Sequence, residues 1–233
     1  MRKTIVVVGF GPGISTAVAE KFGSSGFTVA LVGRNADRLT AGALGLKAKG
    51  IEAASFPADA ADPAATRDAL AKVRATLGPI AVLHWNAAGG ATVPDLVAAD
   101  ATAIRGIFNV PVVALLAAVR EVLPDLKGSK EGAVLVTNGA FGEIDPQLDA
   151  YAVGSGAMGL ALGNAAKHKL VGLLHARLKP EGVYVGEVMV AGTVKGSAWD
   201  RGSANVDAST VAGKFWDLFQ ARGEARARVG GSP

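Results

Sequence analysis

The sequence predicts an α/β fold: a doubly wound parallel sheet in a three-layer α/β/α sandwich. Three observations carry that expectation. Short β-branched runs alternate with longer segments of helical period along the whole chain. The strand runs are near-continuous apolar blocks, the pattern of a sheet covered by helices on both faces. No repeat, linker or low-complexity segment divides the 233 residues, so one domain is expected over 1–233.

The first strand is expected at residues 4–8 (TIVVV), and a helix at 14–24 carries Val18, Ala19 and Phe22 on one face. Gly26 closes its turn. A second strand at 28–32 precedes a helix through Leu39, Leu44 and Leu46. Strand three covers about 51–56. The helix at 64–77 is opened by Asp62-Pro63, where proline forfeits no internal hydrogen bond. Strand four is 80–85, and a long helix at 101–123 can bend at Pro111. Strand five at 133–137, a helix ending near Leu178, strand six at 183–190 and a helix at 209–221 complete the order.

Half of the residues are apolar, enough for a sizeable core. Apolar stretches are broken by charge, Pro or Gly before the roughly 20 residues of a membrane span, so no membrane partner is expected. Residues 1–10 (MRKTIVVVGF) have the basic start and apolar run of a signal peptide. That run is short, β-branched and followed by a Gly-rich turn, so it reads as a buried strand. The absence of cysteine excludes disulfides and thiolate metal sites and fits a reducing, cytoplasmic compartment. His84, His168 and His175 lack metal-ligand spacing with nearby carboxylates, and no metal is expected. The net charge of +4 is scattered; Arg222, Arg226 and Arg228 read as a solvated terminal helix or tail. No aromatic-interleaved basic stripe points to nucleic acid.

Residues 9–15, GFGPGIS, lie between the first strand and the first helix. Glycines there let the backbone turn sharply and approach a pyrophosphate, which helix N-terminal amides stabilise. Gly9, Gly11, Gly13, Ile14 and Ser15 are therefore the candidate phosphate turn of a Rossmann-type domain. The bland alternative is a tight strand–helix turn without a ligand. The spacing resembles the Gly-x-x-x-Gly-Ile-Gly pattern of the short-chain dehydrogenase/reductase family, with Ser15 at the last glycine.

Further landmarks extend that resemblance over nearly the whole chain. Strand two ends in Gly33-Arg34-Asn35, where NAD-preferring relatives carry an acid for the ribose 2′-hydroxyl. Arg34 suits a 2′-phosphate instead, so the resemblance implies NADP more than NAD. Asp59 and Ala60 in FPADAAD stand where the family contacts adenine, and Asn86, Ala87 and Gly89 of WNAAG where it lines the adenosine ribose. Gly192 and Thr193 are the expected neighbours of the nicotinamide carboxamide, and residues 194–208 the substrate lid.

The family's catalytic pattern is where the chain departs. Ordinary members use a tyrosine as proton donor, a lysine four residues later, a serine on strand five and a helix asparagine. Asn109 matches the asparagine, and Asn138 or Gly139 stands at the serine. Three registers are open for the Tyr-x-x-x-Lys pair: Tyr151 with Ser155, Gly163 with Lys167, and Leu160 with Asn164. The last is counted back from KPEGVYV, and none holds both residues. Lys167 lies one turn beyond Asn164, about 4.5 Å along the axis, and is not expected to replace a lysine there unaided.

Tyr151, in an apparent insertion over 142–159, is the remaining candidate donor, with Asn138 and Asn109 as catalytic companions and Asn164 at the nicotinamide ribose. The resemblance thus implies a divergent NADP(H)-dependent oxidoreductase for a small carbonyl or imine substrate. The alternative is an inactive NADP-binding sensor or supporting subunit. Apolar surfaces on the helices at 101–123 and before Leu178 imply a homodimer or homotetramer.

Overall fold

The computed structural model describes residues 3–89 and 92–231. Seven described strands, β1 (Lys3–Val8), β2 (Phe27–Gly33), β3 (Ala53–Pro57), β4 (Ile80–Trp85), β5 (Ala133–Gly139), β6 (Tyr184–Ala191) and β7 (Arg226–Gly230), form one parallel sheet. Their order is β3-β2-β1-β4-β5-β6-β7. The first crossovers step outward from β1 to β3; the chain then returns to β4 on the other side of β1. That reversal opens a crevice beyond the carboxyl ends of β1 and β4.

Side chains along β1 alternate between two cores. Ile5 and Val7 join Phe22 of α1 (Ile14–Ser24), Leu39 of α2 (Ala36–Ala48) and Phe215 of α8 (Ala208–Ala221). Val6 and Val8 join Leu70 of α3 (Pro63–Leu77), Leu115 of α5 (Leu115–Gly128) and Val171 of α7 (Met158–Leu178). The three layers of the predicted sandwich are these two helix sets and the sheet between them.

The expected long helix is divided. Helix α4 (Ala101–Ile107) passes through a π-helical turn, Asn109–Ala114, into α5. Pro111 has no N–H to give, and the amide of Val113 reaches back five residues to the Phe108 carbonyl at 3.0 Å. By length and composition the stretch Ala101–Gly128 would suffice to cross a membrane, contrary to the sequence expectation. Its apolar residues Leu115, Val119, Val122 and Leu126 are packed into the second core.

Two segments differ from expectation. The apparent insertion folds as a short helix, α6 (Pro146–Gly154), whose N-cap Asp145 accepts bonds from the amides of Gln147 and Leu148. The C-terminal arginines belong to an edge strand and its approach, not to a solvated helix or tail. Arg222, at φ 52, ends α8 and donates to the Gly132 and Gly182 carbonyls. In β7, Val229 and Ala227 pack on the first core while Arg226 and Arg228 lie on the other face, where Arg226 reaches Glu187 of β6. Period-two burial was masked by the arginines that mark this edge.

His84, wholly buried on β4, contacts Thr137 Oγ1 at 3.2 Å and stands edge-on to Phe215. Burial pushes its pKa from 6.5 down to about 3. The unfolded chain therefore binds a proton in this window that the folded chain refuses, so stability falls as pH drops from about 6.5 to about 3. Thermal melts between pH 7 and 4 should show a shallower decline for His84→Leu than for the parent.

Candidate active site

The crevice is built first by the turn after β1. The amides of Gly9 and Phe10 both donate to the Val32 carbonyl at 2.9 Å, which ties the turn to the end of β2. Gly9 has φ 83, and a Cβ there would stand 2.5 Å from the Ala87 backbone. Only glycine lets the two loops after β1 and β4 touch so closely. Asn86 Nδ2 adds a bond to the Gly9 carbonyl at 3.3 Å. Helix α1 then starts at Ile14 with no side chain capping it. The positive end of its dipole faces the crevice unopposed by an acidic first turn.

Ser15 has a structural partner. Its hydroxyl accepts the Gly11 amide and donates to the Gly11 carbonyl, both at 2.8 Å, and it is fully buried. It braces the turn from within, in the space a third glycine would leave. Arg34 is exposed at the end of β2, while Asn35 caps α2 by accepting from the Arg38 amide at 2.8 Å. The Arg38 guanidinium lies beside Gly11. One cation, Arg38, thus stands beside the glycine turn. Asp59 is exposed, its Oδ1 accepting the Ala61 amide at 2.9 Å, and Ala60 is half-buried next to it.

A small cavity of about 50 Å³ continues the crevice past β4. Ala87, Gly89, Ile107, Leu160, Asn164 and Lys167 are among its walls. Leu160, Asn164 and Lys167 follow one face of α7 at spacings of four and three. Two of the three registers for the catalytic pair, Leu160 with Asn164 and Gly163 with Lys167, put both of their residues on this wall. Tyr151 lies elsewhere: it is 59% exposed on α6 and stacked on Phe141. Asn109 sits at the start of the π turn and donates to the Ala61 carbonyl at 3.0 Å, away from the cavity. Gly192 and Thr193 follow β6; the Thr193 amide donates to Asn205 Oδ1 at 3.2 Å, holding the two ends of the 194–208 segment together.

Behind α7 lies a polar cluster that the sequence did not announce. Glu187 of β6 is completely buried. Its Oε2 accepts from Asn138 Nδ2 at 3.0 Å, and its Oε1 is shared by His168 Nδ1 and, at 3.3 Å, Arg226 Nε. Asn138 donates a second bond, 3.1 Å long, to the Asn164 carbonyl. Asn138 is therefore 2% exposed and faces the cluster, not the cavity. Next to it, a Cβ on Gly139 would come 2.7 Å from Asn164 Nδ2. A side chain at 139 would therefore displace the end of the Asn164 side chain.

Lys167 completes the cavity wall. It is 6% exposed, and burial pushes its pKa from 10.5 down to about 8 against the attraction of Glu187. Sequence spacing alone discounted this residue because it stands a turn beyond Asn164. Helical side chains lean toward the N-terminus, and Lys167 lines the same cavity as Asn164.

The family model described as short chain dehydrogenase matches residues 3–196. This chain belongs to that family of oxidoreductases. A curated relative, a short chain dehydrogenase of Pseudocercospora fijiensis, is 34% identical over 57% of this chain and 43% of its own length. The chain spans less than half the length of the curated relatives it matches. L-sorbose reductase from Gluconobacter frateurii, solved with NADPH and L-sorbose, superposes with a TM-score of 0.84 at 20% identity over 99% of this chain and 96% of that one. An NADPH-bound short chain oxidoreductase of Pseudomonas aeruginosa PAO1, described as containing an atypical catalytic center, gives 0.84 at 19% identity over 97% and 94%.

Removing the central carboxylate should unfold the back of the site. Glu187→Ala leaves buried donors on Asn138 and the Lys167 ammonium without their counter-charge, an expected loss of about 3–5 kcal/mol. Urea unfolding at pH 7, compared with the parent, measures it.

Proposed function

We propose that the chain is a divergent NADP(H)-dependent oxidoreductase acting on a small carbonyl or imine compound by hydride transfer. The observation that carries the reading is the Gly9 turn pressed onto Ala87 at the β1/β4 crevice, with Arg38 beside it and Arg34 exposed at the end of β2. That turn fits a dinucleotide, because glycine at 9 lets it seat against Ala87 and the α1 N-terminus has no side-chain cap. The NADPH carried by the sorbose reductase and the Pseudomonas oxidoreductase supports the choice of cofactor.

In this reading the pyrophosphate lies against Gly9, Gly11, Gly13 and Ile14, which Ser15 keeps in shape. Arg34 binds the 2′-phosphate, and Asp59 and Ala60 border the adenine. Asn86, Ala87 and Gly89 line the adenosine ribose, Asn164 the nicotinamide ribose, and Gly192 with Thr193 the carboxamide. The bound cofactor supplies a hydride to the substrate carbon. Residues 194–208 cover the substrate; a bridge between Val194 and Val206 and an ion pair between Lys195 and Asp207 hold the base of that segment. Exposed Val113, Leu116 and Leu173 on the π turn, α5 and α7 supply the surface for a homodimer or homotetramer.

A second reading, an inactive NADP-binding sensor or supporting subunit, is favoured by the replacement of the tyrosine and lysine by Leu160 and Asn164. Turnover separates the two: NADPH oxidation is followed against a panel of small ketones, aldehydes and cyclic imines. Cofactor binding without any turnover supports the sensor.

Fluorescence titration should give tighter binding of NADPH than of NADH. Arg34→Ala should weaken NADPH selectively by about 1.5–3 kcal/mol, roughly 10- to 150-fold, with NADH little changed. Equal affinities in the parent protein would overturn the assignment of Arg34. Light scattering at micromolar concentration tests the oligomer, and a monomer would overturn that part.

A further inference from the structure

Among the described residues, the cavity beside β4 has one ionisable lining side chain, Lys167. The other walls are glycine, alanine, proline, leucine, isoleucine and the neutral amide of Asn164. Lys167 is more than nine-tenths buried, and its ammonium makes no hydrogen bond and no ion pair with a described residue. Three charged or titratable groups stand behind it. Glu187 on β6 attracts it without closing a contact, because His168 on α7 and Arg226 on β7 already occupy that carboxylate. Tyr151, the other candidate, is turned onto Phe141 and lines no part of the cavity.

We infer that Lys167 is the catalytic acid–base residue of this chain, the group that gives a proton to a substrate carbonyl as it is reduced. The inference rests on the NADPH-dependent reduction proposed above. The carbonyl carbon accepts a hydride from the reduced nicotinamide and the C–O π bond breaks. The freed electron pair on oxygen takes one proton from the Lys167 ammonium, which becomes a neutral amine. The products are an alcohol and the oxidised cofactor, and the amine regains a proton from solvent. In the reverse direction the neutral amine accepts the alcohol proton.

A buried ammonium with no partner releases a proton more readily than a surface lysine, since its charged form lacks hydration. Its pKa, lowered to about 8, places both forms within reach of neutral pH. Reduction needs the protonated form, so its rate should fall as pH rises through about 8. Glu187 stabilises the charged form and keeps that value from sinking further.

The test has two arms. The first is competitive acetylation by acetic anhydride from about pH 6 to 11, read by peptide mass spectrometry on the protein with and without NADP. Lys167 should become reactive at a pH well below the other lysines and be shielded by NADP. Labelling in step with the surface lysines, or without shielding by NADP, would overturn the inference.

The second arm uses NADPH with 4-nitrobenzaldehyde as the probe substrate, and Lys167→Met, Lys167→Gln and Lys167→Arg as variants. Variants that keep the parent's circular dichroism should lose on the order of 10²–10⁴-fold in kcat, with NADPH affinity within about threefold. Arginine keeps the positive charge but cannot release a proton, so it should not restore turnover. Rescue by arginine, or weakened NADPH binding at unchanged kcat, would make Lys167 a positioning residue and overturn the acid–base role. Loss of turnover in Tyr151→Phe with turnover kept in Lys167→Met would do the same. If NADPH binds but the aldehyde is not reduced, the acetylation profile decides. Failure of NADPH to bind at all is seen directly in the titration and overturns the cofactor reading first.

Discussion

Strand β1 is paired along both edges, to β2 on one side and β4 on the other, and the site exists because of that double pairing. Each neighbour delivers a loop to the same end of β1. Val32 at the end of β2 accepts the two amides of the first turn, and Asn86 after β4 is held by the Val8 carbonyl at 2.9 Å and returns a bond to Gly9. The turn is thereby fixed on three sides before any ligand arrives.

The far half of the crevice is governed by a different constraint, the approach of α7 to the end of β5. With glycine at 139 the Asn164 side chain can lie against the end of β5. Asn138 clamps the same helix through the Asn164 carbonyl and ties it to the buried Glu187. Arg226 and His168 then share the other carboxylate oxygen. The result is a buried polar cluster with Lys167 on the cavity side and Glu187 behind it.

Burying a carboxylate completely is costly unless its lone pairs are satisfied, and Glu187 has a donor on each oxygen. The edge strand β7 supplies one of these donors through Arg226. A surface feature, the basic C-terminal segment, is in this way coupled to the interior of the site. Helix α8 and Arg222 hold that segment in register through the Gly132 and Gly182 carbonyls.

The sequence by itself determined the fold class, the order of the first six strands and the glycine turn after β1. These are local or periodic properties: β-branched runs, a 3.6-residue apolar period, and glycines at a strand–helix junction. Asn109 and Asn138 were also legible as residues of interest, but their partners, Ala61 and Glu187, lie far off in the chain. Strand β7 was hidden because five residues with arginines at alternate positions look like a solvated tail until a neighbouring strand buries the other face. Only the tertiary structure decided that Tyr151 turns onto Phe141, and that Lys167 faces the cavity with Glu187 behind it. Burial and electrostatic surroundings are set by which distant segments pack together, and spacing along one helix carries no record of that.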